Sequence, residues 1–541
     1  MTGVNRVRVI DPPSCGGRGA QAVAKPGPGR RGPGVAGLVA TGVFGAVGGA
    51  LLGGLVGSGA SSVLLVALLL GPAVLVGTMV RPAWGLLVLA LLVFTHLSDV
   101  AVEFYGAPSL LQPFLLVLVL AVGIRVVRDR ELPSGLGTPT LLILAYGAVL
   151  SLGLFFVRDA EPTLFALNTY VRDAVVALLV VALLRTGRSL ERFTWVLILS
   201  GGLLAGLGVL QYVTGSFEVQ FGGFAQASVK NIAGGTSDYR ISGPIADPNH
   251  WAQALLVIIP LALGRMRRSR TVWARSVGAG ALLACVLAVV FTYSRGALVA
   301  LVLLGLLALC LRPPPLWAVA ASVAAIVLAL PLLPGGYVDR LGQLAEALPG
   351  VSQGRTGEAS LSSRLSALLA GQQMALDHPF LGVGAGQFPE RYREYSLGLG
   401  VDNAQGGVAP HNMYVEVAAE TGYAGVLSWG ALLGVSLWRL GRGREALRRA
   451  GRLHHADLVE DLGLALAGYL LGGLFVHNAY PRLYWLLIGA ALAMPAVVRS
   501  VLSAAGAADA GAGGAGLDSE QRPAPADRRP VIETERADGR R

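Results

Sequence analysis

The chain has 541 residues, of which 54% are hydrophobic and only 14% are charged. Because soluble globular proteins carry about 25% charged residues, this composition argues against a cytosolic enzyme. The net charge of +11 comes from 43 basic and 32 acidic residues, and in a membrane protein such an excess is typical of cytoplasmic loops rather than of a nucleic-acid surface. The cysteines at positions 15, 285 and 310 show neither pairing nor metal-ligand spacing, which excludes a disulfide scaffold and a zinc site.

Both ends of the chain are predicted to be disordered cytoplasmic tails. Residues 1–34 are rich in Gly, Pro and Arg and are too polar to pack into a core. Residues 503–541 begin as an Ala/Gly-rich stretch and end in a charged one. The N-terminal tail is too long and irregular for a simple secretory signal, so the first span is predicted to be an uncleaved anchor.

Between the tails, apolar runs predict an all-α polytopic integral membrane protein with about 12–14 transmembrane helices, each of roughly 17–25 residues. The second and third candidates are short, and a single re-entrant pair is the alternative there. The candidate spans start near Gly34, Ser61, Ala83, Leu110, Pro139, Tyr170, Phe193, Asn249, Thr271, Arg295, Pro315, Tyr423, Asp461 and Leu483.

The arginine content of the short loops predicts the orientation of the chain. If the end carrying Arg30 and Arg31 is cytoplasmic, the other arginine-rich loops are cytoplasmic too, and the alternate loops are acidic or mixed, as expected of an external face. Both termini then lie inside, and the two long loops, residues 214–248 and 334–422, lie outside. The arginine-rich loops are those at Arg81, Arg125, Arg128, Arg130, Arg185, Arg188, Arg192, Arg265, Arg267, Arg268, Arg270 and Arg312 and from Arg439 to Arg452.

The loop at residues 334–422 is the largest soluble stretch and is predicted to contain short helices. Leucines at positions 361, 365, 368, 369 and 376 have helical spacing and predict an amphipathic helix against the membrane surface, which ends at Pro379. The next segment, HPFLGVGAGQF from His378 to Phe388, has two interpretations. Its glycines form tight turns, or they let backbone amides approach a phosphate, although the pattern is not a P-loop.

His411 is the candidate general base of this loop. Pro410 and Asn412 are typical of a helix start and Gly422 of a helix end. His411 then lies just ahead of a helix N-terminus, where the macrodipole disfavours the imidazolium and favours a neutral ring near pH 7. Such a ring suits a general base, and the alternative is a histidine that only hydrogen-bonds the loop.

Two arginines are candidates for anion binding on the same face. Arg295 lies where an apolar span begins, and an arginine well inside a bilayer costs at least about 2.5–3.5 kcal/mol, so it either snorkels to the interface or binds an anion there. Arg240 precedes a span that Asn249 is predicted to cap, and it is either a solvated loop charge or a second anion ligand. A lipid-linked diphosphate presents its charge at this depth and suits bidentate arginine. Nothing in the outer loops requires a metal.

These segments together resemble the O-antigen ligase/polymerase superfamily, whose members are multispanning glycosyltransferases of the bacterial envelope. The matching stretches are SRGA at Arg295, the segment from Arg364 through DHPFLGVGAGQF, and HNMYVEVAAETGYAG, which begins at His411. The resemblance divides the membrane region into N-terminal helices at 35–194 and a ligase/polymerase-like domain at 195–502 that includes both outer loops.

The resemblance implies a metal-independent, inverting transfer, without a cofactor, of a glycan from a polyprenyl-diphosphate carrier, such as undecaprenyl diphosphate, to an acceptor hydroxyl. The site would lie on the extracytoplasmic face of the plasma membrane, with a glycan or lipid acceptor, membrane lipids and no nucleic acid as partners. The resemblance implies that His411 activates the acceptor and that Arg240 and Arg295 bind the diphosphate, and Arg364 matches a further recurrent arginine. The residues predicted to support the site are Glu416, Glu420, Asn412 and Asn249.

Three functions stay open on the sequence. A ligase joins the finished polysaccharide to its final acceptor, whereas a polymerase of the same superfamily uses another lipid-linked repeat unit, and both need the same diphosphate site. A transporter usually places ionisable residues mid-span and pairs broken helices. Few charges lie well inside the spans here and no internal repeat is visible, so the sequence favours glycan transfer.

Overall fold

The computed structural model describes residues 62–232, 236–313, 359–399, 408–477 and 481–505. The chain divides into two compact units, residues 1–71 and 72–541, and the described part of the first, residues 62–71, is helical. The tail predicted at 1–34, most of the tail predicted at 503–541 and the candidate spans near Gly34 and Pro315 lie outside the described residues. The last helix continues to Ala505, three residues into the predicted tail.

Helices make up most of the described chain. In chain order they are α1 (Ser62–Val80), α2 (Pro82–Thr95), α3 (Leu97–Tyr105), α4 (Leu111–Asp129), α5 (Gly137–Leu152), α6 (Glu161–Leu183), α7 (Gly187–Thr214), α8 (Pro248–Arg268), α9 (Val272–Phe291), α10 (Arg295–Leu311), α11 (Ala359–Asp377), α12 (Phe388–Leu399), α13 (Met413–Arg449), α14 (Leu453–Gly472), α15 (Arg482–Leu492) and α16 (Met494–Ala505). Two short 3₁₀ turns lie at Gly153–Phe155 and Phe221–Gly223.

Five helices of the described chain are long and apolar enough to cross a membrane: α4, α5 with its 3₁₀ extension, α6, α7 and α9. Two bent pairs, α2 with α3 (55°) and α15 with α16 (41°), raise the number to seven if each pair is one span. The helical, multi-pass class is therefore confirmed, while the predicted 12–14 spans and the inside position of both termini stay predictions.

Helix α8 forms the centre of the helical core. Its residues from Trp251 to Ala262 are all buried, and it packs against α9 and α14. The helix is capped by Asp247, whose Oδ1 accepts the backbone N–H groups of Asn249 (2.7 Å) and His250 (3.1 Å). The prediction that Asn249 is the cap was wrong, because Pro248 occupies the first helical position and the capping residue is the one before it.

An antiparallel hairpin interrupts the helical pattern inside the predicted outer loop at 214–248. Strand β1 (Gln226–Ile232) pairs with β2 (Thr236–Gly243), and Ser228 lies opposite Arg240. The side-chain amide of Gln211 on α7 donates to the backbone oxygens of Val219 and Ala225, both at 2.8 Å, which ties the start of the hairpin to the membrane helices. The sequence did not predict this hairpin, which fixes the position of Arg240.

The predicted amphipathic helix is α11, but its leucines do not form its buried face. Ala367, Ala370 and Met374 are fully buried, whereas Leu365 and Leu376 expose 56% and 68% of their surface. Small side chains allow α11 to approach α13 closely, and Leu365 and Leu376 remain exposed. That placement agrees with a helix lying against a membrane surface.

Gly422 breaks α13 rather than ending it. Its backbone (φ 57°, ψ −159°) is non-helical, and the helix resumes beyond it. The segment His378–Phe388 fills the break: Val383 and Gly384 donate their N–H groups to the carbonyls of Ala419 and Glu420. These amides are used within the fold, so the structure supports the turn interpretation of this segment over phosphate contact.

Candidate functional site

Arg240 is held at one end of the helical bundle by two hydrogen bonds. It lies on β2 and exposes only 9% of its surface. Its Nε donates to the carbonyl of Thr292 (2.7 Å), and its Nη2 donates to the side-chain oxygen of Asn249 (3.2 Å). Two of the five N–H donors of the guanidinium are therefore used to fix its plane. The predicted supporting residue Asn249 positions Arg240.

Arg295 lies three residues after Thr292, the residue whose carbonyl accepts from Arg240. Thr292 ends α9, Ser294 caps α10 by accepting the N–H of Ala297 (3.4 Å), and Arg295 is the first residue of α10. The connecting turn is anchored by a hydroxyl–hydroxyl hydrogen bond between Tyr293 and Tyr212 of α7. The hairpin and the α9–α10 turn thus bring two of the predicted arginines together.

Arg364 on α11 completes an arginine cluster, which consists of Arg240, Arg295 and Arg364. Burial lowers the pKa of Arg364, the neighbouring positive charge of Arg295 lowers it further, and the carboxylate of Asp247 partly opposes both effects. Such an influence requires the three charges to lie within a short distance. Arg295 and Arg364 therefore lie near each other and near Asp247, and Arg240 reaches the same region through its bonds to Thr292 and Asn249.

His411 precedes the first residue of α13, as the sequence predicts. It is half-buried and adopts a left-handed backbone conformation (φ 49°). Asn412 is the cap of α13, since its side-chain oxygen accepts the N–H groups of Tyr414 (2.9 Å) and Val415 (3.0 Å). Its side-chain amide donates to the carbonyl of Leu474 (3.0 Å). These bonds tie the start of α13 to the loop after α14.

Two further histidines, His250 and His477, form a histidine cluster with His411. The ring of His477 lies between the other two, with centroid separations of 5.4 Å to His411 and 5.0 Å to His250, both edge to face. The Nε2 of His250 is 3.0 Å from the carbonyl oxygen of His477. The Nδ1 of His250 is 3.3 Å from a carboxylate oxygen of Asp247. Both ring nitrogens of His250 therefore lie near oxygen acceptors.

The pKa values of His477 and Asp247, both in or beside the histidine cluster, are shifted downward. Burial lowers the pKa of His477 to about 3, and the neighbouring His250 and His411 act in the same direction against a smaller opposing effect of Asp247. Burial alone would raise the pKa of Asp247, but its hydrogen bond to His250, the charge of His250 and two backbone N–H groups hold it well below its usual range. At neutral pH His477 is thus neutral and Asp247 is ionised.

A cavity of about 460 Å³ opens beside the histidine cluster. Arg482, at the start of α15, lies in its wall and donates to both carboxylate oxygens of Asp99 (3.1 and 2.9 Å). The Nδ1 of His96 is 3.0 Å from the same carboxylate. The residues of the lining with polar side-chain atoms are His96, Asp247, His250, Gln253, Tyr469, His477 and Arg482.

The turn Asp247–Pro248–Asn249–His250 connects the arginine cluster with the histidine cluster. Asn249 accepts from Arg240, whereas His250 contacts His477. Asp247 lines the cavity and also raises the pKa of Arg364. The capped start of α8 therefore positions Asn249 against the arginine cluster and His250 against the histidine cluster.

Backbone strain is concentrated at the same place. Six non-glycine residues of the described chain have a positive φ, and four of them are His96, Ala246, Tyr293 and His411. Each of these four either belongs to the site or directly precedes one of its segments. Left-handed backbone is uncommon for such residues and often marks functional sites.

The two predicted glutamates are buried on α13. The Oε1 of Glu420 accepts the N–H of Phe388 (3.3 Å), so this carboxylate holds the start of α12. Glu416 lies one turn earlier and is also buried, with 9% of its surface exposed. Glu420 therefore supports the fold of the loop that presents His411.

Four residues of the site carry no role in the sequence interpretation: Asp247, His250, His477 and Arg482. The available signals are DPNH directly before an apolar run and HNAYPR directly after one. The pairing itself is invisible in the sequence, because His250 and His477 are 227 positions apart. In the part of the chain that the structure describes, no group of three or more His, Cys, Asp or Glu side chains is arranged to hold a metal ion.

Part of the chain is similar to a known protein family. Residues 280–430 match the family model described as O-antigen ligase. This stretch contains Arg295, Arg364 and His411, and it excludes Arg240 and the residues at 247–250 and 477. None of the curated proteins matches the chain.

Proposed function

We propose that this multi-pass membrane protein transfers a glycan from a polyprenyl-diphosphate carrier to an acceptor hydroxyl. The proposal starts from the match of residues 280–430 to the O-antigen ligase family model, which supports the resemblance to the O-antigen ligase/polymerase superfamily. The observation that carries the proposal is the convergence of the arginine cluster and the histidine cluster at one end of the bundle. This reaction needs cations that stabilise the anionic leaving group and a base that accepts the proton of the acceptor hydroxyl.

The arginine cluster suits the diphosphate of the donor. Guanidinium groups bind phosphate oxygens bidentately and stay charged at every relevant pH. The like charges of Arg295 and Arg364 affect each other, and an anion bound between them would relieve that repulsion. As the bond between the sugar and the diphosphate breaks, negative charge grows on the leaving oxygen, where fixed donors lower the barrier.

His411 is proposed as the general base. In the transfer, the acceptor oxygen forms a bond to the anomeric carbon, the bond from that carbon to the diphosphate oxygen breaks, and the hydroxyl proton passes to the imidazole. Attack from the face opposite the leaving diphosphate inverts the anomeric carbon. The position of His411 at a helix start favours the neutral ring that must accept the proton.

The extracytoplasmic face is the proposed side of the reaction, and its support is the arginine pattern of the short loops. The segments that converge at the site, residues 236–250, 292–295, 411–412 and 473–477, come from loops or loop edges that this pattern places outside. The lipid carrier would then reach the arginine cluster from the outer leaflet, with the glycan in the aqueous space.

The test is carrier release in proteoliposomes that contain polyprenyl-diphosphate glycan and a crude envelope acceptor fraction. Wild-type protein should release the carrier diphosphate and extend the acceptor, and His411→Ala should lower the rate by at least about 100-fold. The matched control is His378→Ala, which removes a half-buried histidine from the adjacent turn and should keep wild-type turnover.

Each other outcome has a defined meaning. Full activity of His411→Ala would remove His411 as the base. No release by any of the proteins, with an acceptor fraction shown to be competent, would contradict glycan transfer and favour transport. Product size separates the two kinds of transferase: a single addition to the acceptor indicates a ligase, and a ladder of repeat units on the lipid carrier indicates a polymerase.

A further inference from the structure

The cavity beside the histidine cluster is a part of the site that the donor does not require. Its lining includes His96, Gln253 and Arg482, whereas Arg240 of the arginine cluster binds Asn249 and is not among the lining residues. Its volume of about 460 Å³ falls within the range of small-molecule sites, roughly 300–1,000 Å³. A site of that size holds a sugar residue with room for part of a second one.

The charges of the lining argue against a diphosphate in this cavity. Arg482, the arginine of the lining, is bound by both carboxylate oxygens of Asp99. Asp247 adds a carboxylate that stays ionised at neutral pH and would repel an anion. The ligand that fits a lining with carboxylate, imidazole, amide and guanidinium groups is neutral and rich in hydroxyls.

His477 supplies an independent observation. Its Nδ1 is buried and finds no hydrogen-bond partner among the described residues. A buried polar atom of this kind is costly unless a partner completes it, and the cavity that His477 lines offers the space for one. A sugar hydroxyl can donate to this nitrogen or accept from it, whichever tautomer the neutral ring adopts.

We propose that the cavity binds a neutral sugar residue of the acceptor glycan, with His477, Gln253 and Asp247 as hydrogen-bond partners of its hydroxyls. That the sugar belongs to the acceptor rests on the proposed function, whereas the binding of a sugar does not. Because the ring of His477 also contacts His411, a sugar held against His477 is adjacent to the proposed base. The cavity would then select the acceptor, and the arginine cluster would select the donor.

Binding without turnover tests this proposal. The full chain in lipid nanodiscs is examined by saturation-transfer difference NMR with glucose, galactose, mannose and N-acetylglucosamine as probes. Ala254 lines the cavity and is buried on α8, so Ala254→Val places two extra methyl groups in it. Ala145→Val puts the same volume on the exposed side of α5 and serves as the matched control.

At least one sugar should bind wild-type protein and Ala145→Val, and its affinity should fall about 10-fold or more in Ala254→Val, the effect of a lost pocket contact. Undecaprenyl diphosphate should bind all three proteins with the same affinity. If Ala254→Val does not fold, His477→Phe replaces it, since that variant keeps an aromatic ring at this position and removes both ring nitrogens, including the buried Nδ1.

Three results would overturn the proposal: no sugar binds wild-type protein, sugar affinity is the same in the cavity variants, or the affinity for undecaprenyl diphosphate falls together with that for the sugar. The third result would assign the cavity to the donor. Failure of the proposed transfer is a separate outcome, since it is measured by carrier release and leaves a sugar-binding result standing.

Discussion

Two groups of charged residues lie along α8, and they differ in composition: one pairs arginines with buried carboxylates, and the other is the arginine cluster. At one end Arg268 contacts Asp461, Arg312 contacts Glu460 and Asp461, each at 3.0 Å, and Arg444 contacts Glu460 at 2.7 Å. At the other end, about 30 Å away along α8 at 1.5 Å per residue, lies the arginine cluster, where Arg295 and Arg364 act on each other as like charges.

The ion-pair network holds its charges as buried pairs within the fold. In the ion-pair network each of the three arginines has a carboxylate within the protein, and the carboxylates of Glu460 and Asp461 are only 3% and 2% exposed. Removal of one partner from such a network leaves a buried charge uncompensated. The arginine cluster gathers positive charge near His411, and the proposed transfer would use that charge to stabilise the leaving diphosphate.

Asp461→Asn should therefore give the largest effect, and that effect should be on stability. Loss of the carboxylate that contacts both Arg268 and Arg312 is expected to lower the free energy of unfolding by about 3–5 kcal/mol, while folded molecules keep their transfer rate. The control is Glu445→Gln, which breaks an exposed pair with Arg449 and should cost less than about 0.5 kcal/mol. Thermal unfolding in nanodiscs measures the stability of both variants. Equal stability of the two would contradict a structural role of the ion-pair network.

Arg295→Lys should show the opposite pattern. The lysine keeps the positive charge at the start of α10 but replaces a planar fork by a point charge, so transfer is expected to fall about 100-fold with unfolding unchanged. Carrier release in proteoliposomes gives the rate. Wild-type turnover in this variant would mean that Arg295 only anchors the helix at the membrane interface.

The sequence predicted those parts of the site that depend on local patterns. Asn412 caps α13 and His411 precedes it because helix-start signals act over three or four residues. The same signal was present at Asp247, but the prediction placed the cap at Asn249, which is the second residue of the helix. The hairpin alternates over too few residues to stand out from a loop.

Contacts between distant segments account for the rest. The cluster of His250, His411 and His477 depends on how α8, α13 and α14 pack, and no local pattern encodes that packing. In α11 the leucine spacing predicted the helix correctly but not its buried face, which consists of Ala367, Ala370 and Met374. Periodicity identifies an apolar face, and packing decides whether protein or lipid covers it.

The pH dependence of stability should differ between wild-type protein and His477→Phe. The folded-state pKa of His477, about 3, lies below the unfolded value of about 6.5, so the unfolded chain takes up the proton first as the pH falls. Between pH 7.5 and 5.0 this linkage should lower the free energy of unfolding by about 2 kcal/mol, and phenylalanine should abolish that part of the loss. Thermal unfolding of both proteins at the two pH values measures it; identical pH dependence would mean that His477 is protonated in the folded state.

Asn412→Ser should have the smallest effect and decides whether this residue supports the chemistry or only the helix. Serine is also a good helix cap, whereas alanine is not, so Asn412→Ala should lower stability by about 1 kcal/mol and Asn412→Ser by a few tenths. Both variants should retain transfer, because the side-chain oxygen of Asn412 already accepts the two N–H groups of Tyr414 and Val415, and its amide donates to Leu474. Unfolding and carrier release are measured on the same preparations. If Asn412→Ser kept wild-type stability but lost transfer, Asn412 would contact the substrate as well as cap α13.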